Sequence, residues 1–178
     1  MALFTGKGDQ GTTTAFGCDQ KRISKSSELP EALGALDELN AFLGFTKVRA
    51  SGAERIQNAL RDMQENLFIV QAQAGGAEKT LADGIVERTS RSVNEIEMEI
   101  PRLQGFCIAG GTELSALLDV CRTLARRAER RVIAVKEQGL RDLPEETMAY
   151  LNRLSSLLFA YARLANHLAG VKEENPKY

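Results

Sequence analysis

Residues 110–139, GGTELSALLDVCRTLARRAERRVIAVKEQG, decide the fold. Leu114, Leu118, Cys121, Ala125, Ala128, Val132 and Val135 recur there at alternating steps of four and three residues, between Gly110-Gly111 and Gly139. That period lays one apolar stripe along a long helix. Toward the N-terminus, Ala32, Leu36, Leu39 and Leu43 make a similar stripe, and Ile56, Leu60, Met63, Leu67 and Val70 make another after the break at Ser51-Gly52. Gly75-Gly76 closes the second, and Val86, Val93, Ile96, Ile100 and Leu103 form a third that stops near Gly105. Toward the C-terminus, Pro144 opens a helix with Leu151, Leu154, Leu158, Ala162, Ala165 and Leu168 inward and Gly170 as its stop. Five helices and no convincing strand predict an all-α, up-and-down bundle, since short connections favour antiparallel neighbours. The expected layout is one domain over 1–178: a loop segment over 1–29, the bundle over 30–170 and a polar tail over 171–178.

Composition narrows the functional classes. Among 178 residues, 23 Lys and Arg stand against 24 Asp and Glu, so no overall basic excess draws the chain to nucleic acid or to an anionic membrane. No apolar run reaches the length of a membrane span, and Met1 to Lys7 lack the layout of a signal peptide, so a cytoplasmic protein is expected, or one enclosed in a bacterial microcompartment. Cys18, Cys107 and Cys121 show no CxxC spacing, which argues for reduced thiols and against a zinc site. With a single histidine, His167, the two ExxH pairs of a di-iron bundle are missing and no Ser-His or Cys-His nucleophile is evident. An enzyme built this way takes its nucleophile from a substrate or cofactor.

Three groups of residues remain. Gly6, Gly8 and Gly11 in TGKGDQGTTT spell a dinucleotide fingerprint, but no strand precedes them and no helix starts at Gly11; Lys7 lacks the Ser or Thr of a phosphate-binding Walker loop. What the segment does offer is close backbone approach to an anion, with Lys7, Thr12, Thr13 and Thr14 as donors. The competing account is a plain N-terminal linker. On the fourth helix, Arg122, Arg126 and Arg130 stack one turn apart beside Arg127, Glu129 and Arg131. A solvated basic face is the bland reading; the pointed one is bidentate phosphate recognition, with Glu129 orienting an arginine or a metal–triphosphate. On the fifth helix, Asn152, Ser156, Phe159 and Arg163 share a face away from the leucines, which reads as polar surface apart from Asn152, whose amide can read a ribose or adenine edge.

Taken together, TGKGDQGTTT, the first-helix ALGALDELNAFLG, the fourth-helix GGTELSALLDVCRTLARRAERRV and YLNRLSSLLFAYAR resemble the PduO-type ATP:cob(I)alamin adenosyltransferases, in family order from about Thr5 to Arg163. The resemblance implies a ferritin-like bundle that forms a homotrimer with active sites between subunits. It implies transfer of the 5′-deoxyadenosyl group of ATP to a reduced corrinoid such as cob(I)alamin, with Mg²⁺ on the released triphosphate. Thr5, Gly6, Lys7, Gly8, Thr13, Thr14 and Lys25 are then expected to wrap ATP. Arg126, Arg127, Glu129 and Arg130 hold the triphosphate, Arg126, Glu129 and Arg130 being the catalytic group, and Asn152 lies close to the nucleotide. Phe106 faces the corrinoid, while Asp37 and Arg122 bridge subunits. A flavin-type reductase supplies electrons, and an adenosylcobalamin-dependent mutase or dehydratase is a possible client. The chain departs from the family at Ala109, where Pro is common, at Ser156, where Asp is common, and in CDQK at 18–21. A non-catalytic ATP- or corrinoid-binding bundle is the alternative.

Overall fold

The structure, a computed structural model, describes residues 4–15 and 21–178. Its helices are α1 (Glu28–Arg49), α2 (Glu54–Gly75), α3 (Ile85–Glu99), α4 (Glu113–Glu137) and α5 (Glu145–Leu168), preceded by the short strands β1 (Thr12–Thr14) and β2 (Arg22–Ser24). The helices pack side by side in the order α2, α1, α4, α5, α3, as an up-and-down bundle. The stripes read from sequence are the core: Leu36, Leu39, Leu43, Leu60, Leu67, Leu118, Cys121, Ala125, Ala128, Val132, Leu154 and Leu158 are fully buried. Small residues at 121, 125 and 128 let α4 lie close to both its neighbours. α5 is buried almost all round, from Tyr150 to Asn166, because α4, α3 and the end of α2 cover it. No helix among the described residues is long and apolar enough to cross a membrane.

The boundaries depart from expectation in three places. Residues 1–29 were expected to contain no strand, yet Thr12, Thr13 and Thr14 pair antiparallel with Ser24, Ile23 and Arg22. β-branched threonines suit an extended backbone, and a three-residue strand is too short to show alternation. The third helix ends at Glu99 rather than near Gly105, because Pro101 forces Ile100 into an extended conformation (φ −107°, ψ 160°). Leu103 therefore leaves the stripe and is half exposed, as is Leu168 at the frayed end of α5. The residues expected to form a polar tail are tied back to the bundle, with the Ile108 amide donating to the Glu174 carbonyl over 2.8 Å.

The start of α4 is fixed from α5. Thr112 caps the helix by accepting from the Ser115 amide over 3.1 Å. The buried Asn166 accepts from the Thr112 amide at 2.9 Å and from its hydroxyl at 3.2 Å, and donates to the Gly110 carbonyl at 2.9 Å. Gly111 has φ +97°, and a Cβ there would lie 2.5 Å from Asn166 Oδ1, so only glycine fits. Cys107 and Cys121 are free thiols; Cys18 lies outside the described residues. Burial pushes the Cys121 thiol up to about 11, leaving it an inert core group against Thr46.

Candidate active site

The glycine-rich segment is folded into a compact loop. The Asp9 amide donates to the Gly6 carbonyl at 3.2 Å and the Gly11 amide to the Gly8 carbonyl at 3.1 Å, so two turns follow one another. The Lys25 amide then donates to the Gly11 carbonyl at 2.9 Å, bringing Lys25 back over the loop. A Cβ on Gly8 would meet the Lys25 ammonium at 3.0 Å, so Gly8 leaves the room in which that cation sits. Thr5, Gly6, Lys7, Thr14 and Lys25 are exposed, with Gly8 and Thr13 half-buried, so the predicted ATP-binding residues of this segment form one solvent-facing cationic loop. Sequence reasoning missed its staple. Arg22 donates through Nε to Thr12 Oγ1 and through Nη2 to the Thr12 carbonyl, each at 2.7 Å, and to the Lys7 carbonyl. The signal was present as an arginine on the strand opposite the threonines.

The arginine run of α4 divides between two faces, as the 100° step of a helix requires. Arg127 and Arg131 turn toward α1: Arg127 pairs with Glu38, and Arg131 lies 3.7 Å from Glu28 and 3.6 Å from Glu31. Arg130 points out to solvent, while Arg122, Arg126 and Glu129 turn toward α5. There Asn152 Nδ2 donates to Glu129 Oε1 at 3.0 Å, and Asn152 Oδ1 accepts from Arg153 at 2.8 Å. Arg126 and Arg130 are exposed and, among the described residues, have no carboxylate partner. Exposed ion pairs contribute little, so the pairing of Arg127 and Arg131 matters for availability more than for stability. Arg126 on the α5 side and Arg130 beside it on the solvent side are thus free for a ligand.

Beside them opens a cleft of about 370 Å³, lined by Phe106, Cys107, Arg122, Arg126, Ser156 and Phe159. Phe106 is 79% exposed, which removes the reading of it as an ordinary core aromatic. The Arg122 guanidinium sits 5.8 Å from the centre of the Phe159 ring and donates to the buried Asp119 at 2.8 Å. Within the chain Arg122 is thus held by Asp119, while Asp37 lies exposed on α1. Burial, reinforced by the charge of Glu173, raises the Cys107 thiol above its ordinary range and keeps it protonated. The cleft therefore offers aromatic and cationic walls without a thiolate. Ser156 and Ala109, two of the departures from the family pattern, fall on this cleft and in the loop leading to Gly110, away from the glycine loop. Arg163 was grouped with polar surface, yet it is buried and paired with Glu173. His167 is exposed in the last turn of α5.

A family model described as cobalamin adenosyltransferase matches residues 3–165. The corrinoid adenosyltransferase of Bacillus subtilis (strain 168) is 35% identical over 183 residues, covering 96% of this chain and 90% of that protein. The corrinoid adenosyltransferase PduO of Citrobacter freundii is 35% identical over 175 residues; that alignment covers 94% of this chain but 50% of the relative. Among solved structures, a variant PduO-type ATP:corrinoid adenosyltransferase from Lactobacillus reuteri, complexed with cobalamin and ATP, superposes with a TM-score of 0.90 at 26% identity, covering 99% of this chain and 97% of that one. A second variant of that enzyme, complexed with ATP, gives a TM-score of 0.90 at 27% identity, covering 98% of this chain and 100% of that one.

Proposed function

The chain belongs to the cobalamin adenosyltransferase family, and from that premise we propose how its residues transfer the 5′-deoxyadenosyl group of ATP to the cobalt of a reduced corrinoid. The observation that carries the reading is the cleft in which unpaired Arg126 and exposed Phe106 share one wall. It sets a site for a polyanion beside an exposed aromatic surface that a corrinoid could cover, which is what the reaction needs. Co(I) donates an electron pair to the 5′ carbon to form the Co–C5′ bond; the C5′–O bond breaks and triphosphate leaves with the electron pair of that broken bond. Such a nucleophile needs no protein base, which suits a site without histidine. The protein aligns the two centres and stabilises the charge that develops on the leaving triphosphate.

In this reading Arg126 and Arg130 take the triphosphate, with Glu129 oriented by Asn152 at 3.0 Å. The Glu129 carboxylate is a hard oxygen donor, so together with phosphate oxygens it would hold Mg²⁺. Thr5, Gly6, Lys7, Gly8, Thr13, Thr14 and Lys25 wrap the nucleotide from the glycine loop. Arg127, on the α1 side, reaches phosphate by releasing Glu38. Phe106 fills the lower axial space of the corrinoid, so that the cobalt sheds its lower ligand and Co(II) becomes easier to reduce. The electrons come from a flavin-type reductase, and the product goes to an adenosylcobalamin-dependent mutase or dehydratase. The proposed location is the cytoplasm or a microcompartment.

The glycine loop leads into the start of α1, where Glu28 and Glu31 face Arg131, whereas Arg126 lines a cleft with α5 and Arg130 is open to solvent. On this reading the glycine loop and the two free arginines of one chain belong to different sites. A homotrimer in which the loop of one subunit meets the free arginines of the next completes the site, with Asp37 and Arg122 bridging the boundary.

The function is tested anaerobically with ATP, Mg²⁺ and chemically reduced cobalamin. Loss of the cob(I)alamin spectrum with release of triphosphate is expected, and ATP binding without turnover would select a non-catalytic bundle. The shared site is tested by mixing. Lys25→Ala and Arg130→Ala chains, each impaired alone, should regain about a quarter of parental activity after co-assembly at equal amounts, because some sites draw both parts from intact halves. No recovery in mixed trimers would mean that each chain builds its site by itself.

A further inference from the structure

The loop carrying Phe106 is held by a chain of bonds that the reaction scheme above does not use. Arg163, on α5, has a side chain only 7% exposed. Its Nε donates to Glu173 Oε1 at 2.7 Å and its Nη2 to Glu173 Oε2 at 2.9 Å, a bidentate fork. The same Nη2 donates to the Pro101 carbonyl at 2.7 Å. One buried cation therefore grips the segment after α5 and the first residue of the Phe106 loop together. Two residues along, the segment takes hold of the loop a second time, the Glu174 carbonyl accepting from the Ile108 amide and Asn175 Nδ2 donating to the Phe106 carbonyl, each at 2.8 Å. Asn166 anchors the far end of the loop at Gly110.

Phe106 itself brings almost nothing to this arrangement, since its ring is 79% exposed. Its backbone has no helix or strand to fix it. Behind the loop lies a cavity of about 270 Å³, lined by Ile100, Leu103, Cys107, Arg163, His167 and Glu173 among others. Loop residues Leu103 and Cys107 and the tail residues Glu173 and Asn175 line that space together, so the loop has room to sink into once the segment lets go of it. An uncompensated guanidinium at the Arg163 position would be costly, so the Glu173 carboxylate is kept in place.

We propose that Arg163 and Glu173 form a latch through which the segment after α5 sets the position of Phe106, making Arg163 a positioning residue for adenosyl transfer. The inference rests on the reading of Phe106 as the corrinoid-facing aromatic, yet the latch can be seen without turnover. The chain contains no tryptophan. Phe106→Trp therefore installs a single tryptophan in the loop, which can be excited selectively apart from the three tyrosines. In that background, Glu173→Gln should lower the fluorescence anisotropy and raise acrylamide quenching with no ligand present, and Arg163→Met should do the same. Identical anisotropy and quenching with and without Glu173→Gln would overturn the latch, whatever the activity.

In the chain with native Phe106, Glu173→Gln should reduce kcat by about tenfold and raise the KM for cob(I)alamin, while the KM for ATP stays within about twofold. The fraction of ligand-free Co(II) in the electron paramagnetic resonance spectrum should fall with it. Arg163→Lys should fail to rescue, because an ammonium lacks the planar fork that engages both carboxylate oxygens and Pro101. A Glu173→Gln chain that unfolds at lower temperature with unchanged kcat, KM values and Co(II) spectrum would reduce the pair to a structural tie and sink the proposal. A parent without adenosyl transfer would instead refute the functional reading, and the anisotropy comparison would still decide the latch.

Discussion

Phe106→Ala is expected to slow adenosyl transfer by on the order of a hundredfold, the scale of loss that follows from misplacing a reacting centre, while ATP affinity and the melting temperature barely move. The separation follows from where the residue stands. A buried phenylalanine costs about 3–5 kcal/mol when truncated, because a cavity remains. With its ring 79% exposed, Phe106 leaves no such cavity, so stability should change by less than about 0.5 kcal/mol. The ring matters only when a corrinoid covers it. Under the proposed role, its loss lets water or the native base re-enter the lower axial position and makes Co(II) harder to reduce. Electron paramagnetic resonance of bound cob(II)alamin, beside a thermal melt, reads both parts. A variant with the parental rate and the parental ligand-free signal would take Phe106 out of the mechanism.

Arg126→Ala and Arg130→Ala are each expected to lose charge-assisted phosphate bonds worth about 1.5–3 kcal/mol, a roughly 10- to 150-fold weaker binding of MgATP. Helix content should stay the same, because both side chains are exposed and neither supports the core. Arg127→Ala is the internal comparison. Its guanidinium is already paired with Glu38 on the α1 side, so its loss should cost less than about 1 kcal/mol. Titration calorimetry of the three variants with MgATP orders them. A larger loss for Arg127→Ala than for the other two would place the triphosphate on the α1 side of α4 and overturn the assignment made from the cleft.

The helices were legible because burial imposes a period, and the period survives in Leu36, Leu39 and Leu43 or in Cys121, Ala125 and Ala128 without any knowledge of neighbours. The elements that were misread have no period to show. Three threonines opposite Arg22, Ile23 and Ser24 make a ladder through backbone pairing and the Arg22 staple, neither of which leaves a hydrophobic pattern. The glycine loop and the arginine stripe could be singled out by residue type and spacing, because phosphate chemistry demands cations and close backbone approach. What spacing alone does not reveal is which way each arginine is engaged: Glu38 draws Arg127 away, and that carboxylate lies on another helix. Arg163 shows the same limit. It shares a helical face with Asn152 and Ser156, but the segment over 173–175 and the loop after Pro101 cover that end of the face, turning a surface position into a buried one. Asn166, like Ser155 and Arg163, is a polar residue in a buried stretch of α5, and its partners at Gly110 and Thr112 come from a loop that no helical period reveals.

The two-faced α4 also governs how the length of this chain can vary over evolutionary time. Each residue added to or removed from a helix turns everything beyond it by about 100°. A single-residue insertion between Arg122 and Arg126 would swing Arg126 off the α5 face, re-aim Arg130, break the carboxylate contact with Asn152 and carry the apolar stripe out of register in the same stroke. The helix from its Thr112 cap to Arg131 is therefore a segment in which substitution can be explored but indels cannot. The connections over 76–84 and 138–144 carry no such phase. Natural length polymorphism, and any engineered tag or inserted domain, should accumulate there, so an alignment of this lineage would show gaps at those two connections and an ungapped block across α4.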